Sequence, residues 1–305
     1  LYVIESFGLT KYYSNGKVKA LQDFNLSVEQ GTIFSLLGPN GSGKTTLIKV
    51  LLNIVHPTRG EGRIFGKKIS DHRTHKKLGY LPENHRFPVF LNAIQILLIY
   101  GKMCGIQKSI LKERIPRLLA TVKLSDWAKI KIKKYSKGML QRLGMAQALI
   151  NDPEILFLDE PTDGIDPVGR REIRDLLLTL KGQGKTIFLN SHLLSEVERI
   201  SDEIAILKRG RLIKKGRVQD FLSLKDQYEL SLEGDHPTIR QSCDFLNILL
   251  EEQNSKFLIS VNNDEHLNKL IDELRKNKIF IKGITPRKIT LEDYFIEVIE
   301  EKGNL

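Results

Sequence analysis

Residues 38–45 read Gly-Pro-Asn-Gly-Ser-Gly-Lys-Thr and satisfy the pattern G-x-x-x-x-G-K-[ST] at every fixed position. The small residues Gly38, Pro39, Asn40, Gly41, Ser42 and Gly43 let successive backbone N–H groups turn inward around phosphate oxygens. A helix opening at Lys44 then points its positive dipole end at the same anion. Lys44 is placed to neutralise β/γ charge, Thr45 to ligate Mg²⁺, and Thr46 to extend the nucleotide-binding run. A turn that merely joins a strand to a helix has no need of Lys44-Thr45 directly after its last glycine. The spacing therefore predicts binding of a nucleoside triphosphate. A second group lies downstream, where the apolar run Ile155-Leu156-Phe157-Leu158 ends in Asp159-Glu160. A buried strand that delivers two acids at its carboxyl end suits Asp159 to Mg²⁺, held through its water shell. It suits Glu160 to polarising the water that attacks a γ-phosphate. An exposed acidic turn would leave the same local pattern, but not together with the phosphate loop.

These residues need a scaffold, and the chain alternates short β-branched runs with helical stretches as far as residue 218. Predicted strands are Tyr2–Leu9, Phe24–Val28, Thr32–Leu37, Gly62–Ile64, Leu78–Leu81, Ile155–Leu158, Thr186–Asn190, Glu203–Lys208 and Arg211–Lys215. Between Asn92 and Ala148 the pattern is helical, interrupted at Gly105 and Pro116, which predicts a helical subdomain of about residues 84–150 inserted into an α/β core. Residues 219–305 read as a separate α+β appendix. It has a helical connector, strands Tyr228–Leu232, Phe257–Val261 and Ile279–Lys282, and helices Thr238–Glu251, Glu265–Asn277 and Leu291–Glu301. It holds no glycine-rich loop or catalytic constellation, so a regulatory or dimer-stabilising role is expected.

With 305 residues, 41% hydrophobic and 28% charged, the chain has the balance of a globular protein with a large domain and a smaller one. The most apolar helical candidate, Leu91–Ile106, is broken by Asn92, Gln95 and Lys102 and falls short of a membrane span. Cys104 and Cys243 lie far apart outside any metal-ligand spacing and are expected as reduced thiols. No signal peptide is visible, and Leu1 leaves the true N-terminus open. The net charge of +11 is compatible with nucleic acid, an anionic membrane surface, or a lysine-rich surface combined with phosphate sites. The densest cluster, Lys129, Lys131, Lys133 and Lys134, is interleaved with isoleucines and lacks the aromatic rings of single-strand binders. No nucleic-acid partner is expected.

The order phosphate loop, Tyr135-Ser136-Lys137-Gly138-Met139, Leu158-Asp159-Glu160-Pro161, then Ser191-His192 resembles the ATP-binding cassette (ABC) ATPases over roughly residues 2–218. The resemblance implies an α/β fold: a P-loop NTPase, ABC-type nucleotide-binding domain with an inserted helical subdomain, followed here by the small C-terminal α+β domain. ATP and Mg²⁺ are the implied substrate and cofactor. Tyr13 matches the aromatic residue that stacks on adenine, with Tyr12 the alternative. The family's signature loop usually reads L-S-G-G-Q. Here Tyr135, Lys137 and Met139 depart from it, while Ser136 and Gly138 keep the hydroxyl and N–H that bond the γ-phosphate held by the opposite subunit. Glu83 stands where the family commonly has a glutamine, and its carboxylate would still approach Mg²⁺ while bringing extra negative charge near the phosphates. Asp166 matches the loop that crosses the dimer interface, and His192 the switch histidine on the γ-phosphate.

By the same resemblance, two cassettes pack head to tail around two ATP molecules, the second being another copy or a homologous cassette. Hydrolysis then energises transport through separate transmembrane permease subunits, which dock near Phe87-Pro88-Val89-Phe90-Leu91, so the chain sits peripherally at the cytoplasmic face of the cell membrane. The C-terminal run Leu291-Glu292-Asp293-Tyr294-Phe295 resembles the tails of exporter-type cassettes. The alternative is a soluble nucleotide switch with a non-transport partner. Translation-type members carry two cassettes in one chain and repair-type members insert a long coiled coil, and neither feature is present. A cassette that binds ATP without turnover would need damage at Lys44, Asp159, Glu160 or His192, and all four are intact.

Overall fold

The computed structural model describes residues 1–222, 226–253, 256–261, 263–286 and 290–301, and the chain divides into two units, Leu1–Val218 and Gln219–Leu305. The first unit opens with β1 (Tyr2–Tyr13), β2 (Val18–Glu29), β3 (Ile33–Leu37), α1 (Lys44–Leu51), β4 (Arg59–Ile64), β5 (Lys67–Lys68), α2 (His72–His75) and β6 (Leu78–Leu81). Three longer helices follow, α3 (Ala93–Met103), α4 (Lys108–Thr121) and α5 (Lys137–Ala148). The unit closes with β7 (Ile155–Asp159), α6 (Pro167–Gly182), β8 (Thr186–Asn190), α7 (Leu194–Ile200), β9 (Glu203–Lys208), β10 (Arg211–Arg217) and the start of α8 (Val218–Leu222).

The central sheet runs β10-β9-β3-β8-β7-β6, parallel except for the antiparallel edge strand β10. Every residue of β3, β7 and β8 is buried, which is why these strands read as near-continuous apolar runs rather than alternating ones. Phe188 packs its ring against Phe34 and Phe157 at 5.2 and 5.4 Å, locking the three strands together beneath their carboxyl ends. The register pairs Asn190 with both Asp159 and Leu36, so the acids and the phosphate loop leave the sheet at one edge. A second sheet, ordered β2-β1-β4-β5, shares this core through Ile4, Leu9, Phe24 and Ile64.

Helix α3 starts at a capping box: the Asn92 side chain accepts from the Gln95 N–H, and the Gln95 side chain accepts from the Asn92 N–H, each at 3.0 Å. Two of the polar residues that break the apolar run thus define its beginning. Gly105, at φ +77, lies between α3 and α4. Pro116, expected as a second interruption, lies inside α4 without ending it.

The second unit continues with β11 (Asp226–Glu233), α9 (His236–Phe245), β12 (Leu249–Gln253), β13 (Lys256–Val261), α10 (Asp264–Lys276), β14 (Phe280–Pro286) and α11 (Leu291–Glu301). Part of the expected connector, residues 223–225, lies outside the described residues. The antiparallel order β12-β13-β11-β14 is the split βαβ, ferredoxin-like arrangement. Its core is Leu230, Phe257 and Ile259 from the sheet against Ile239, Leu270 and Leu274 from the helices. The helix expected over Thr238–Glu251 is corrected here. It stops at Phe245 because Asn247 adopts φ +53, with its N–H bonded to the Asp244 carbonyl and the Ile248 N–H to the Cys243 carbonyl. That left-handed termination releases Leu249–Gln253 as a strand.

Candidate active site

The phosphate loop connects fully buried β3 to α1, and two of its glycines, Gly38 and Gly43, are demanded by close approach. A Cβ at Gly38 would run into the Leu207 carbonyl oxygen and Ser42 Oγ, and one at Gly43, at φ +112, into the Ala20 carbonyl oxygen. Gly43 caps α1 with no side-chain acceptor, so the first-turn N–H groups are left for an incoming anion. Lys44, only 7% exposed, donates to the carbonyls of Gly38 at 2.7 Å and Pro39 at 3.2 Å. Burial lowers its pKa, against the opposing pull of Glu160, Asp159 and Glu83. Ser42 Oγ is buried without a hydrogen-bond partner, an orphan that a phosphate oxygen would satisfy.

Thr45 Oγ1 donates to Asp159 Oδ2 at 2.9 Å, and Asn190 Nδ2 donates to Asp159 Oδ1. The carboxylate is wholly buried and aimed by both contacts. One residue on, the chain turns sharply: Glu160 takes φ +53, and its N–H donates to the Asn190 carbonyl at 2.9 Å. The Glu160 carboxylate meets His192 Nδ1 at 2.8 Å and accepts from the His192 N–H at 3.3 Å. Burial raises its pKa, with His192 and Lys44 opposing. That shift moves the carboxyl toward the range in which a general base works.

These groups line a cleft of about 630 Å³. Among the expected residues, Tyr13, Asn40, Gly41, Ser42, Gly43, Lys44, Thr45, Thr46, Glu83, Glu160 and His192 border it. Asp159 stands beneath, bonded to Thr45. Gly38 and Pro39 serve through the carbonyls that hold Lys44. Tyr13 rather than Tyr12 borders the cleft, with Lys11 Nζ 5.0 Å from its ring centre. Ser136, Gly138 and Asp166 are not on this wall. Ser136 caps α5 by accepting from the Met139 N–H at 3.2 Å, and Asp166 caps α6 by accepting from the Gly169 N–H at 3.0 Å. Val18, Lys19, Ala20, Asp163 and Asn190 also border the cleft and carried no sequence expectation. Of these, only Asn190 and Asp163 lay beside motifs that pointed to the site.

No group of three or more His, Cys, Asp or Glu among the described residues forms a self-contained metal cage. The donor set that is present, the Thr45 hydroxyl on the Asp159 carboxylate with Glu83 on the same cleft, suits a hard cation such as Mg²⁺. Such an ion takes one or two protein oxygens and completes its shell with phosphate and water.

The sequence model of the ABC transporter family matches residues 21–163. The chain is 41% identical to an uncharacterized ABC transporter ATP-binding protein of Synechocystis sp., over 99% of this chain and 86% of that protein. It is 36% identical to the bacitracin transport ATP-binding protein of Bacillus licheniformis, over 97% of each. Among solved structures, it resembles a dimeric ATP-binding cassette in a post-hydrolysis state bound to ADP and Pi. There the identity is 26%, the TM-score 0.66, and coverage 70% of this chain and 98% of that one. With this site on this fold, the chain belongs to the ABC transporter family as an ATP-binding subunit, an ATPase.

Proposed function

We propose that this subunit energises export through separate membrane subunits, closing head to tail on a second cassette with two ATP molecules held between them. The carrying observation is the division of the expected ATP contacts. Glu160, His192, Lys44 and Thr45 share one cleft, while Ser136 and Gly138 lie off its wall at the start of α5. A second chain, another copy or a homologous cassette, would bring its own Ser136 and Gly138 to the γ-phosphate, and the loop at Asp166 would run along the junction.

In this reading Tyr13 stacks on the adenine, the loop from Gly38 to Thr46 cradles the phosphates, and Lys44 leaves its carbonyl partners for β/γ oxygens. Thr45 and Asp159 would hold Mg²⁺, which supplies charge neutralisation at the phosphates, and Glu83 lies within the same cleft to approach it. Glu160 takes the proton of the attacking water, and His192 orients that carboxylate and meets the γ-phosphate. Export is supported by relatives named for bacitracin transport and Nod factor export. Val89 and Phe90, 58% and 69% exposed, offer an apolar contact for a permease helix, so the chain would sit peripherally at the cytoplasmic face of the membrane. The unit from Gln219 onward is assigned a regulatory or dimer-stabilising role.

The test is a tagged Glu160→Gln chain locked with Mg-ATP in its host, followed by mild detergent extraction and mass spectrometry. The variant is expected to bind ATP without steady-state turnover and to bring down a polytopic membrane protein in near-stoichiometric amount. Recovery of ribosomes, DNA or soluble proteins alone would instead support a soluble nucleotide switch, and normal turnover would remove Glu160 from its role.

A further inference from the structure

Helix α5 begins at Ser136 and Lys137, and one of its faces is fastened to the segment that carries Glu160. Gln141 Nε2 donates to the Glu160 carbonyl at 3.1 Å, and Lys137 Nζ pairs with Asp163 Oδ2 at 2.8 Å. Lys137 and Gln141 are four residues apart and therefore share a helix face. Arg142, one position on, pairs with Glu172 of α6, the helix that follows this segment.

Each tether has a feature that a chance surface contact lacks. Gln141 is 4% exposed, and a buried primary amide must find partners. Its acceptor belongs to a residue whose left-handed backbone is intrinsically unfavourable. The Glu160 N–H is held by the Asn190 carbonyl of β8, and its C=O accepts both from Gln141 of α5 and from the Asp163 N–H at 3.2 Å. The lysine stem lies against Gly164, at φ +67, where an added Cβ would overlap Lys137. Asp163, the acid that Lys137 holds, borders the ATP cleft together with Glu160 and His192. Its carboxyl is kept below the usual carboxylate range, chiefly by the hydrogen bond from Lys137.

We propose that Gln141 and Lys137 are positioning residues for Glu160, fastening the 160–164 segment to α5 so that the carboxylate stays aligned on the cleft. The inference rests on Glu160 being the base. It gives Lys137, a departure from the family's usual glycine, a role of its own. Because α5 starts at the loop assigned to the second cassette, the two tethers also make one rigid connection between that loop and the chain's own Glu160.

The test uses the full chain, measuring ATP saturation curves and, separately, affinity for a fluorescent ATP analogue. Gln141→Met keeps the bulk of the side chain without its donor, and is expected to lower kcat about tenfold or more with KM and analogue affinity unchanged, the signature of a misaligned reacting group. Lys137→Ala, at an exposed site that does not threaten folding, is expected to lower kcat several-fold in the same manner, and Lys137→Arg to restore it. Lys137→Ala combined with Asp163→Ala should cost no more than either alone. Unchanged kcat in both Gln141→Met and Lys137→Ala would overturn the proposal. So would a parallel loss of kcat and affinity, which marks general destabilisation. Glu160→Gln is run alongside: if it turns over normally the base assignment fails and this inference with it, whereas silent tethers beside an inactive Glu160→Gln overturn the tethers alone.

Discussion

Glu160 occupies a backbone conformation that costs an L-residue about 1–3 kcal/mol, and the surrounding bonds from Asn190, His192 and Gln141 hold it there. The strain turns the side chain off the end of β7 and into the cleft, where Asp159 one residue earlier is wholly buried. Lys44 presents the complementary case, a buried ammonium parked on two carbonyls near three carboxylates. Lys44→Ala should weaken Mg-ATP binding roughly 10–100-fold, the worth of a charge-assisted hydrogen bond, as read by calorimetry. Unchanged affinity would remove Lys44 from the phosphates. The two thiols offer a second check at this scale. Burial and Asp244 push Cys243 up to about 11, whereas Cys104 is exposed and is raised only by partial desolvation. A thiolate reagent at pH 8 should therefore label Cys104 well before Cys243, and peptide mass spectrometry that found Cys243 labelled first would contradict the packing of α9.

Elements explain what was legible in the chain and what was not. The phosphate loop and the three central strands could be read directly because each is a local signal: fixed glycine spacing, or an apolar run buried on both faces. Gln141, Asp163 and the Val18–Ala20 wall of the cleft could not, since each reaches the site only through tertiary placement of α5, the loop after β7, or the start of β2. The missed strand β12 has a local cause. Hydrophobic residues continue past Phe245, and only the left-handed turn at Asn247 separates helix from strand. Asn247→Gly should be tolerated, while Asn247→Val should cost about 1–2 kcal/mol, because a β-branched residue resists that conformation. Thermal melts of the two variants check this, and equal stability would mean that Asn247 does not set the boundary.

At the scale of the whole molecule, each unit has its own apolar core, and the nucleotide cleft belongs entirely to Leu1–Val218. ATP bound to one chain should stabilise that unit directly, by about 2.7 kcal/mol at a hundredfold excess over Kd. The Ser136 loop belongs to the same unit, yet in the head-to-tail reading it meets only the other chain's nucleotide. Hydrogen exchange on the Glu160→Gln chain separates the two contributions. With Mg-ATP present, amides of residues 38–46 should be protected at every protein concentration, because that contact lies within one chain. Amides of residues 136–139 should gain protection only as chain concentration rises and pairs form, in step with the dimer fraction measured by light scattering. Protection of 136–139 in a dilute, monomeric sample would show that this loop reads its own chain's ATP. The division of the site between two subunits would then have to be abandoned.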